Sequence, residues 1–424
     1  MLRLGYDAAG QLARMLAAVA PAGDAKVLRA LRGRRGIRTR YAAWNATGRD
    51  ASRPLLWIHA PSVGEGLQAR PVLQLARAQR PDVQLAYTFF SPSAAPFARG
   101  LDVDFADYLP FDTEGEARAA LDALTPSALV FSKLDVWPTL ARVASDRGVK
   151  LGLVSATLAE GSSRRRGFAS RLLADAYARL DAVGAIDDAD AARLVSLGVR
   201  RDRVSVTGDT RYDQVWARVA AVDRASGLVP ALASDRPTLV AGSTWPADES
   251  PLLEAWGRLV TSVPRARLII APHEPNESHL EPIERWSRGR ALATERLGSP
   301  AAPNADVIVV DRVGVLGDLY ALATMAYVGG GFHAAGLHSV LEPAAFGVPV
   351  LFGPRHANSR DAGLLLAKGG GASASDEVGL EARLREWLTS ESSRSEAGAA
   401  ARELVESGLG AAERSWRLVN GLLA

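Results

Sequence analysis

Short apolar runs alternate along the chain with helix-length stretches rich in Ala, Leu and Arg. Each run is apolar at nearly every position, which is typical of strands that helices cover on both faces of a parallel sheet. The repeated strand–helix order predicts an α/β protein with two doubly wound domains. The runs are LLWIHA (55–60), VQLAYTFF (83–90), ALVFSKL (128–134), KLGLVSAT (150–157), AVGAID (182–187), VSVTGD (204–209), TLVAGST (238–244), ARLIIAP (266–272), DVIVVD (306–311), AYVGGG (326–331) and PVLFGP (349–354).

The two predicted domains meet after the segment TGDTRYDQV. WARVAAVDRASGLVPALASDRP follows that segment and a new strand begins at Thr238, so we expect the boundary within about 214–236. We predict an N-terminal segment at 1–40, a first domain at 41–215 and a second domain at 216–424. The last stretch, AAERSWRLVNGLLA, is predicted to be a terminal helix of the second domain.

Composition and charge exclude several function classes. The 424-residue chain carries 50 Lys and Arg against 47 Asp and Glu, a net charge of +3, so no nucleic-acid partner is predicted. It has no cysteine, which excludes disulfides and Cys-ligated metals. Its six histidines form no HExxH or HxxxH pattern, so no metal is expected. The lack of a membrane-spanning apolar run and of a signal-peptide pattern predicts a cytoplasmic location.

The first forty residues combine an amphipathic pattern with a basic cluster. Leu12, Met15, Leu16 and Val19 recur at helical spacing, and KVLRALRGRRGIRTR (26–40) carries seven basic residues and no acid. This pairing suits an anionic membrane surface. A helix packed on the domain beside a solvated basic loop explains the same pattern, so both interpretations stay open at this point.

One carboxylate follows the first apolar run, in the stretch HAPSVGEG (59–66). Ligands of doubly wound sheets bind at the carboxyl ends of the strands, so Glu65 is a candidate general base at the mouth of a binding site. Gly64 and Gly66 allow a ligand to approach closely. Glu65 also falls near the start of the next helix, where a carboxylate interacts favourably with the helix dipole. On spacing alone, this capping role is the simpler interpretation.

Polar residues also follow strands of the second domain. VGGGFHAAGLHSVLEPAAFGVPVLFGPRHAN (328–358) begins with a glycine turn whose backbone N–H groups are predicted to face an anion. Glu342 lies in an apolar helical stretch, so its carboxylate needs a partner, and the two hydroxyls of a ribose are suitable donors. Arg211, after an earlier strand, has the geometry to hold a phosphate or carboxylate with two hydrogen bonds, or to pair with a flanking aspartate between the domains.

These motifs together resemble the 3-deoxy-D-manno-octulosonic acid (Kdo) transferases. HAPSVGE is similar to their H-A-x-S-x-G-E signature, and GLHSVLEPAAFGVPVLFGP is similar to their G-H-N-x-L-E-P-A … P-V-x-x-G-P segment. VWPTL, VTGDTRYD and AGSTWPADE occur between them in the same order as in the family. The resemblance covers about residues 40–370, and five ordered motifs make it specific.

The resemblance implies a GT-B glycosyltransferase, in which two Rossmann-like domains face each other across a cleft. It implies that the first domain binds a lipid A precursor and the second binds the substrate CMP-Kdo, without a cofactor or a catalytic metal. It also implies peripheral association with the cytoplasmic face of the inner membrane. On this reading, the basic clusters at 26–40 and in SSRRRGFASR (162–171) meet the phosphates of the acceptor and of the membrane.

The resemblance also implies three catalytic residues. Glu65 matches the family's proton acceptor, which deprotonates the acceptor hydroxyl as it attacks the anomeric carbon. Asp135 stands where the family has Glu before Trp-Pro, and Arg211 stands where it has a Lys that stabilises the transition state. The sign of the charge is therefore kept at both positions. Ser62, Gly64 and Arg35 are the candidate acceptor-binding residues.

The nucleotide-binding positions depart further from the family pattern. His273 replaces an Arg, Ser339 replaces an Asn, and Gly314-Val315-Leu316 lacks the Glu of the family's G-E-L contact. A related CMP-activated 2-keto sugar acid is therefore an alternative donor. The candidate nucleotide-binding residues are Ser243, Thr244, Pro272, His273, Gly314, Val315, Leu316, Gly330, Gly331, Ser339, Val340, Leu341 and Glu342.

Two further function classes share this predicted fold. A nucleotide-sugar 2-epimerase would use UDP-sugars and no lipid acceptor, and the basic amphipathic N-terminus argues against it. A binding protein without catalysis would explain the altered donor positions, but the retained charges at Glu65, Asp135 and Arg211 argue against it. The sequence makes no prediction of the oligomeric state.

Overall fold

The computed structural model describes residues 2–19, 25–162, 164 and 167–423. The chain divides into two compact units, one of Met1–Gln214 with Leu409–Ala424 and one of Val215–Gly408. The boundary lies within one residue of the predicted one. Within the described ranges, every helix is too short or too polar to cross a membrane.

The first unit contains a seven-stranded, all-parallel sheet with the strand order β3-β2-β1-β4-β5-β6-β7. The order reverses between β1 and β4, which makes the carboxyl ends of these two strands the expected place for a ligand. The strands are β1 (Leu55–His59), β2 (Gln84–Phe89), β3 (Phe105–Tyr108), β4 (Ala128–Ser132), β5 (Lys150–Ala156), β6 (Ala182–Ala185) and β7 (Val204–Val206). The helices up to the boundary are α1 (Leu2–Val19), α2 (Lys26–Gly33), α3 (Ile37–Thr47), α4 (Val63–Gln79), α5 (Ala94–Arg99), α6 (Glu114–Leu124), α7 (Pro138–Asp146), α8 (Gly167–Ala178), α9 (Asp188–Ser196) and α10 (Arg211–Ala220).

Both faces of the first sheet are covered, as the continuous apolar runs predict. Trp57 and Phe131 belong to one buried cluster, and Ile58 and Val130 belong to the other. α3 crosses the predicted limit at residue 40, and Ile37 in its first turn is buried in the first cluster. The segment 1–40 is therefore part of the first unit rather than a separate body.

The second unit repeats this architecture with the parallel strand order β10-β11-β9-β8-β12-β13-β14. The order reverses between β8 and β12, and buried clusters cover both faces of the sheet. The strands are β8 (Thr238–Thr244), β9 (Arg267–Pro272), β10 (Thr294–Arg296), β11 (Val307–Val309), β12 (Met325–Val328), β13 (Val350–Phe352) and β14 (Gly371–Ser373). The helices are α11 (Leu228–Ala231), α12 (Pro246–Leu259), α13 (Glu277–Arg288), α14 (Leu316–Leu319), α15 (Leu341–Ala345), α16 (Arg360–Lys368), α17 (Glu377–Thr389) and α18 (Glu391–Ser407). The prediction of two doubly wound domains is confirmed.

The terminal helix α19 (Ala411–Asn420) belongs to the first unit, so its predicted place in the second domain is wrong. Trp416 and Val419 are buried in the cluster that contains β1. The carboxylate of Asp213 caps the helix by accepting from the backbone amides of Gly410 and Ala412 at 2.7 and 2.9 Å. The helix itself was predicted correctly, but the apolar positions of a helix carry no information on which core its apolar face enters.

Candidate active site

Glu65 lies at the point where the first sheet reverses its order. Ser62, in an extended conformation, is the N-cap of α4, and Glu65 is the third residue of that helix. The Ser62 hydroxyl donates to Glu65 Oε2. The Glu65 side chain keeps 19% of its surface exposed, so the carboxylate is held by the protein but accessible to a ligand.

A lysine that was not predicted from the sequence contacts this carboxylate. Lys133 follows β4 directly, and its Nζ lies 3.4 Å from Glu65 Oε1. The neighbouring Ser132 hydroxyl donates to the Glu65 carbonyl oxygen at 3.1 Å. Burial raises the pKa of Glu65, but the Ser62 hydrogen bond and the Lys133 charge outweigh it, so the pKa lies below its ordinary value. Glu65 is therefore ionised at neutral pH and able to accept a proton.

His59 at the end of β1 is structural. It is completely buried, and burial lowers its pKa to about 3, so the imidazole is neutral. Trp137 Nε1 donates to its Nε2 at 3.0 Å, and its Nδ1 lies 3.0 Å from the Thr88 hydroxyl oxygen. Because Trp137 supplies the proton on that side, Nδ1 carries the hydrogen of the ring. The histidine of HAPSVGEG thus holds the tryptophan of VWPTL, which connects two of the motifs.

Asp135 and Arg211 both take part in ion pairs. Asp135 Oδ1 accepts from Arg164 at 2.6 Å. Arg211 donates to Asp209 Oδ2 through Nε at 2.9 Å and through its terminal nitrogen at 2.7 Å. This is one of the flanking aspartates that the sequence offered, but the pair lies within the first unit rather than between domains. The catalytic assignments of Asp135 and Arg211 stay predictions.

Hydrogen bonds connect the loop that precedes Arg211 to the helix that carries Glu65. Thr210 Oγ1 donates to the backbone oxygen of Gln68 at 2.6 Å, and Gln68 Nε2 donates to Asp209 Oδ1 at 3.2 Å. Gln68 lies three residues after Glu65 in α4, nearly one helical turn. The structure therefore brings the GDTR motif to the first turns of α4.

The other predicted acceptor residues lie in different surroundings. Gly64 is exposed, and a Cβ built on it would meet only the Ser62 hydroxyl, at 3.7 Å, so no packing requires a glycine there. Arg35 is exposed and donates to the Ala17 carbonyl at 2.9 Å, which connects the basic segment to α1. Arg35 lines a cavity of about 380 Å³ with Arg14, Arg34, Arg38 and Glu116, among others.

The N-terminal helices are partly docked and partly open to solvent. Tyr6 of α1 donates to Asp112 at 2.9 Å, while Leu12, Met15 and Leu16 are 55%, 58% and 50% exposed. Arg34 from the basic cluster is buried, with its guanidinium carbon 4.0 Å from the Phe90 ring centre. Helix α1 is therefore packed on the first unit and also has an exposed apolar face, so the structure contains features of both interpretations.

In the second basic cluster, at 162–171, Ser163, Arg165 and Arg166 lie outside the described residues.

The glycine turn of the second unit binds an anion from the protein itself. Asp248 is completely buried, and its Oδ2 accepts from the Gly330 amide at 2.8 Å. Its Oδ1 accepts from the Phe332 amide at 3.0 Å and from the Tyr327 hydroxyl at 3.1 Å. The prediction that the Gly330 N–H faces a bound ligand is therefore wrong, because Asp248 already occupies it. Gly331 is buried, and a Cβ on it would lie 2.4 Å from the Gly353 nitrogen, so close packing explains this glycine.

Four aromatic rings cluster at the reversal point of the second sheet. Trp245 after β8 stacks on His333 with ring centres 4.4 Å apart, and His273 after β9 stacks on His338 at 4.5 Å. Trp245 is also 4.6 Å from His273, and its Nε1 donates to His338 Nε2 at 3.1 Å. Burial, together with the neighbouring His273, lowers the pKa of His338. Of the four residues, only His273 was predicted from the sequence. Trp245 directly follows the buried strand β8, and an aromatic residue at that position was the available signal.

Glu342 lies in the first turn of α15, and the structure supports its need for a partner. Burial raises the pKa of its carboxyl, against a smaller opposite effect of Arg218. Arg218 itself donates to Asp318 at 3.2 Å. Within the part of the chain that the structure describes, no side chain hydrogen-bonds the Glu342 carboxylate. Its oxygens are thus available to hydroxyl donors of a ligand.

The remaining predicted nucleotide residues differ in accessibility. The Thr244 hydroxyl is already used, since it donates to buried Glu249 at 2.8 Å. His273, Gly314 and Ser339 are exposed; Ser243, Val315 and Leu316 are half-buried; Pro272, Val340 and Leu341 are buried. The side chains of these three buried residues are not accessible to a ligand, and their assignment to the nucleotide site stays a prediction. Among the residues the structure describes, no three His, Asp or Glu side chains gather as a metal site requires; a metal-independent reaction stays a prediction.

The sequence is similar to a family profile and to named proteins. The family profile "3-Deoxy-D-manno-octulosonic-acid transferase (kdotransferase)" matches residues 34–214. The 3-deoxy-D-manno-octulosonic acid transferase of Bordetella pertussis is 31% identical over 335 residues, which cover 76% of this chain and 77% of that protein. The protein of the same name from Haemophilus influenzae is 25% identical over 365 residues, 85% of each chain.

Structural comparison adds a likeness in fold. The crystal structure of UDP-GlcNAc 2-epimerase from Neisseria meningitidis bound to UDP-GlcNAc has a TM-score of 0.60, with 84% of this chain and 99% of that chain covered. The sequence identity is 12%, so this likeness concerns the fold alone. The two relatives named above, which share sequence along most of the chain, are transferases.

Proposed function

Because the chain belongs to the 3-deoxy-D-manno-octulosonic acid (Kdo) transferase family, we propose that this glycosyltransferase of lipopolysaccharide biosynthesis moves Kdo from CMP-Kdo to a lipid A precursor, with Glu65 as general base. The observation that carries the base assignment is the position of Glu65. Its carboxylate is partly exposed at the reversal point of the first sheet and has a lowered pKa. It is therefore in the basic form and within reach of a ligand bound at the strand ends.

The proposed reaction needs one proton acceptor and stabilisation of the leaving group. The acceptor hydroxyl loses its proton to Glu65 while its oxygen attacks the anomeric carbon of Kdo, and the bond from that carbon to the phosphate of CMP breaks. Arg211 is the proposed cation for the developing charge, held ready by Asp209. Asp135, which pairs with Arg164, is the second carboxylate of the first unit that we propose to be catalytic.

The second unit is the proposed donor site. Four aromatic rings offer stacking surfaces for a pyrimidine base at the reversal point of the second sheet. They belong to Trp245, His273, His333 and His338. The Glu342 carboxylate is a suitable acceptor for the two ribose hydroxyls of CMP. A CMP-activated 2-keto sugar acid other than Kdo uses the same base and ribose contacts, so it stays the alternative donor. An epimerase function has support from the fold alone.

The acceptor is proposed to be a lipid at the cytoplasmic face of the inner membrane, where the enzyme associates peripherally. Exposed Leu12, Met15 and Leu16 on α1 are suited to the boundary between headgroups and acyl chains. Exposed arginines of the adjacent basic segment, such as Arg29 and Arg32, are suited to lipid phosphates.

Charge reversal of Arg29 and Arg32 to Glu is expected to weaken binding to anionic vesicles by about 30-fold or more, because each cation contributes about 1 kcal/mol near such a surface. Sedimentation with phosphatidylcholine vesicles, with and without phosphatidylglycerol, measures the effect. The control reverses Arg224 and Arg288, which are exposed on the second unit and change the net charge equally. Equal losses in both double variants, or none in the first, would contradict a membrane-facing N-terminus.

The proposed function is tested by incubating the protein with CMP-Kdo and a tetraacylated lipid A precursor. We expect CMP release that depends on the lipid, and a lipid product heavier by whole Kdo units in the mass spectrum. UDP-GlcNAc without a lipid serves as the epimerase control and is expected to remain unchanged. Lipid-dependent turnover of a different CMP-activated 2-keto sugar acid, with none of CMP-Kdo, would show that the donor assignment is wrong.

A further inference from the structure

We propose that Lys133 is a positioning residue for Glu65: its ammonium group holds the carboxylate through Oε1, Ser62 holds it through Oε2, and the proton of the acceptor hydroxyl arrives at Oε1. The inference rests on the proposed role of Glu65 as the base. It assigns to Lys133 a function that the motifs did not indicate.

The geometry distinguishes the two carboxylate oxygens. Ser62 belongs to the cap of the same helix, and its hydroxyl can keep donating to Oε2 after the carboxyl is protonated. The Lys133 ammonium lies 3.4 Å from Oε1, longer than the usual distance of about 2.7–2.9 Å for a charge-assisted hydrogen bond. Oε1 is therefore the less tightly held oxygen and the better proton acceptor.

The backbone at Lys133 is arranged for this contact. Its φ angle is +66°, in the left-handed region that residues with a side chain seldom occupy. The preceding Ser132 hydroxyl donates to the Glu65 carbonyl oxygen at 3.1 Å, which fixes this turn against the first turn of α4. An unfavourable conformation held in place beside a candidate catalytic group is consistent with a functional requirement.

The choice of lysine is informative in this chain. Only four of its 50 Lys and Arg residues are lysines. A guanidinium would donate two parallel hydrogen bonds and occupy both carboxylate oxygens, whereas an ammonium is a compact charge that leaves lone pairs open. A lysine therefore orients the base without blocking it.

Among the described residues, Lys133 is the cation that acts on the Glu65 carboxylate, and the other groups that face Glu65 are uncharged. They are the hydroxyls of Ser62 and Ser132 and the phenol of Tyr87 from β2. Burial raises the pKa of Tyr87, with a contribution from Glu65, so this phenol is neutral. Removing Lys133 thus removes the positive charge that lowers the pKa of Glu65.

The variant Lys133→Met is expected to shift the acidic limb of kcat/KM for Kdo transfer to higher pH by about one unit. The sign follows because a base with a raised pKa becomes protonated, and therefore inactive, at a higher pH. Lys133→Arg is expected to keep the position of the limb but to lower kcat several-fold, since the guanidinium occupies both oxygens. The control Lys150→Met, an exposed lysine of the same unit, is expected to match the wild type. Coinciding profiles of Lys133→Met and the wild type would overturn the proposal.

A second measurement separates this proposal from the proposed function. NMR titration of proteins labelled with [13Cδ]glutamate, with Glu65→Gln to assign the resonance, reports the pKa of Glu65 without turnover. If the wild type transfers no Kdo, the proposed function fails, while a shift of the Glu65 resonance in Lys133→Met still supports the contact. If Kdo is transferred but neither the resonance nor the acidic limb moves, the assignment of Lys133 alone is wrong.

Discussion

Replacement of Glu65 by Gln is expected to lower the rate of Kdo transfer by about 10²–10⁴-fold, the usual contribution of a general base. The amide keeps the size of the side chain and one oxygen acceptor, but it does not accept a proton from the attacking hydroxyl. Donor binding is expected to stay close to that of the wild type, because the proposed nucleotide contacts belong to the second unit. The effect should therefore appear in kcat with lipid and CMP-Kdo present, and not in the dissociation constant of CMP measured by calorimetry.

The matched control for this substitution is Glu413→Gln. Glu413 is an exposed glutamate of the same unit, and like Glu65 it is the third residue of its helix. A glutamate that only interacts with the helix dipole contributes about 0.3–1 kcal/mol to stability, so Glu413→Gln should leave the rate unchanged. If Glu65→Gln transferred Kdo as fast as Glu413→Gln, Glu65 would be a capping residue and the base would have to be sought elsewhere.

The interior strands were predictable from the sequence, whereas three strands at the sheet margins were not. β3, β10 and β14 lie at the ends of their sheets and are only partly buried. Strands covered on both faces need apolar side chains at every position, but these marginal strands read FADY, TER and GAS. Their pairing depends on the neighbouring strand and leaves little trace in their own composition.

The candidate site also contains residues that were predictable from the sequence and residues that were not. Glu65 and His273 were predictable because each follows an apolar strand, and parallel sheets bring such positions to one edge. Glu342 was predictable because an acid in an apolar helical stretch needs a partner. Lys133 and Trp245 also follow apolar strands, but this position alone did not show their importance, which depends on which strands are neighbours and how the loops after them fold. The glycine turn was interpreted wrongly because a glycine-rich sequence indicates backbone amides that are open to an anion. Only the structure shows that the carboxylate of Asp248 accepts from the Gly330 amide.

Asp248 is the residue of the second unit whose replacement should disturb the donor site most. Its carboxylate accepts from the backbone amides of Trp245, Gly330 and Phe332 at 3.0, 2.8 and 3.0 Å, and from the Tyr327 hydroxyl. It therefore joins the start of α12 to the glycine turn after β12. Because Trp245 also stacks on His333, the position of the ring cluster depends on this carboxylate.

Asp248→Asn is expected to destabilise the second unit by about 3–5 kcal/mol, the range found when a buried charged group loses its partner interactions. The new amide has one oxygen, so whichever way it is turned, its NH2 group faces at least one backbone N–H that then lacks an acceptor. Hydrogen–deuterium exchange of peptides covering 328–333 should become faster, and CMP binding should weaken in the same variant.

The control is Asp235→Asn, the same change at an 84%-exposed side chain of the same unit, where about 0.5 kcal/mol or less is expected. If the turn exchanged at the wild-type rate in Asp248→Asn, the carboxylate would not be what holds it. If exchange became faster while the affinity for CMP stayed the same, the glycine turn would have a structural role only and would not contribute to nucleotide binding. Faster exchange with weaker CMP binding is the result we expect, because the same carboxylate holds both the turn and the backbone of Trp245.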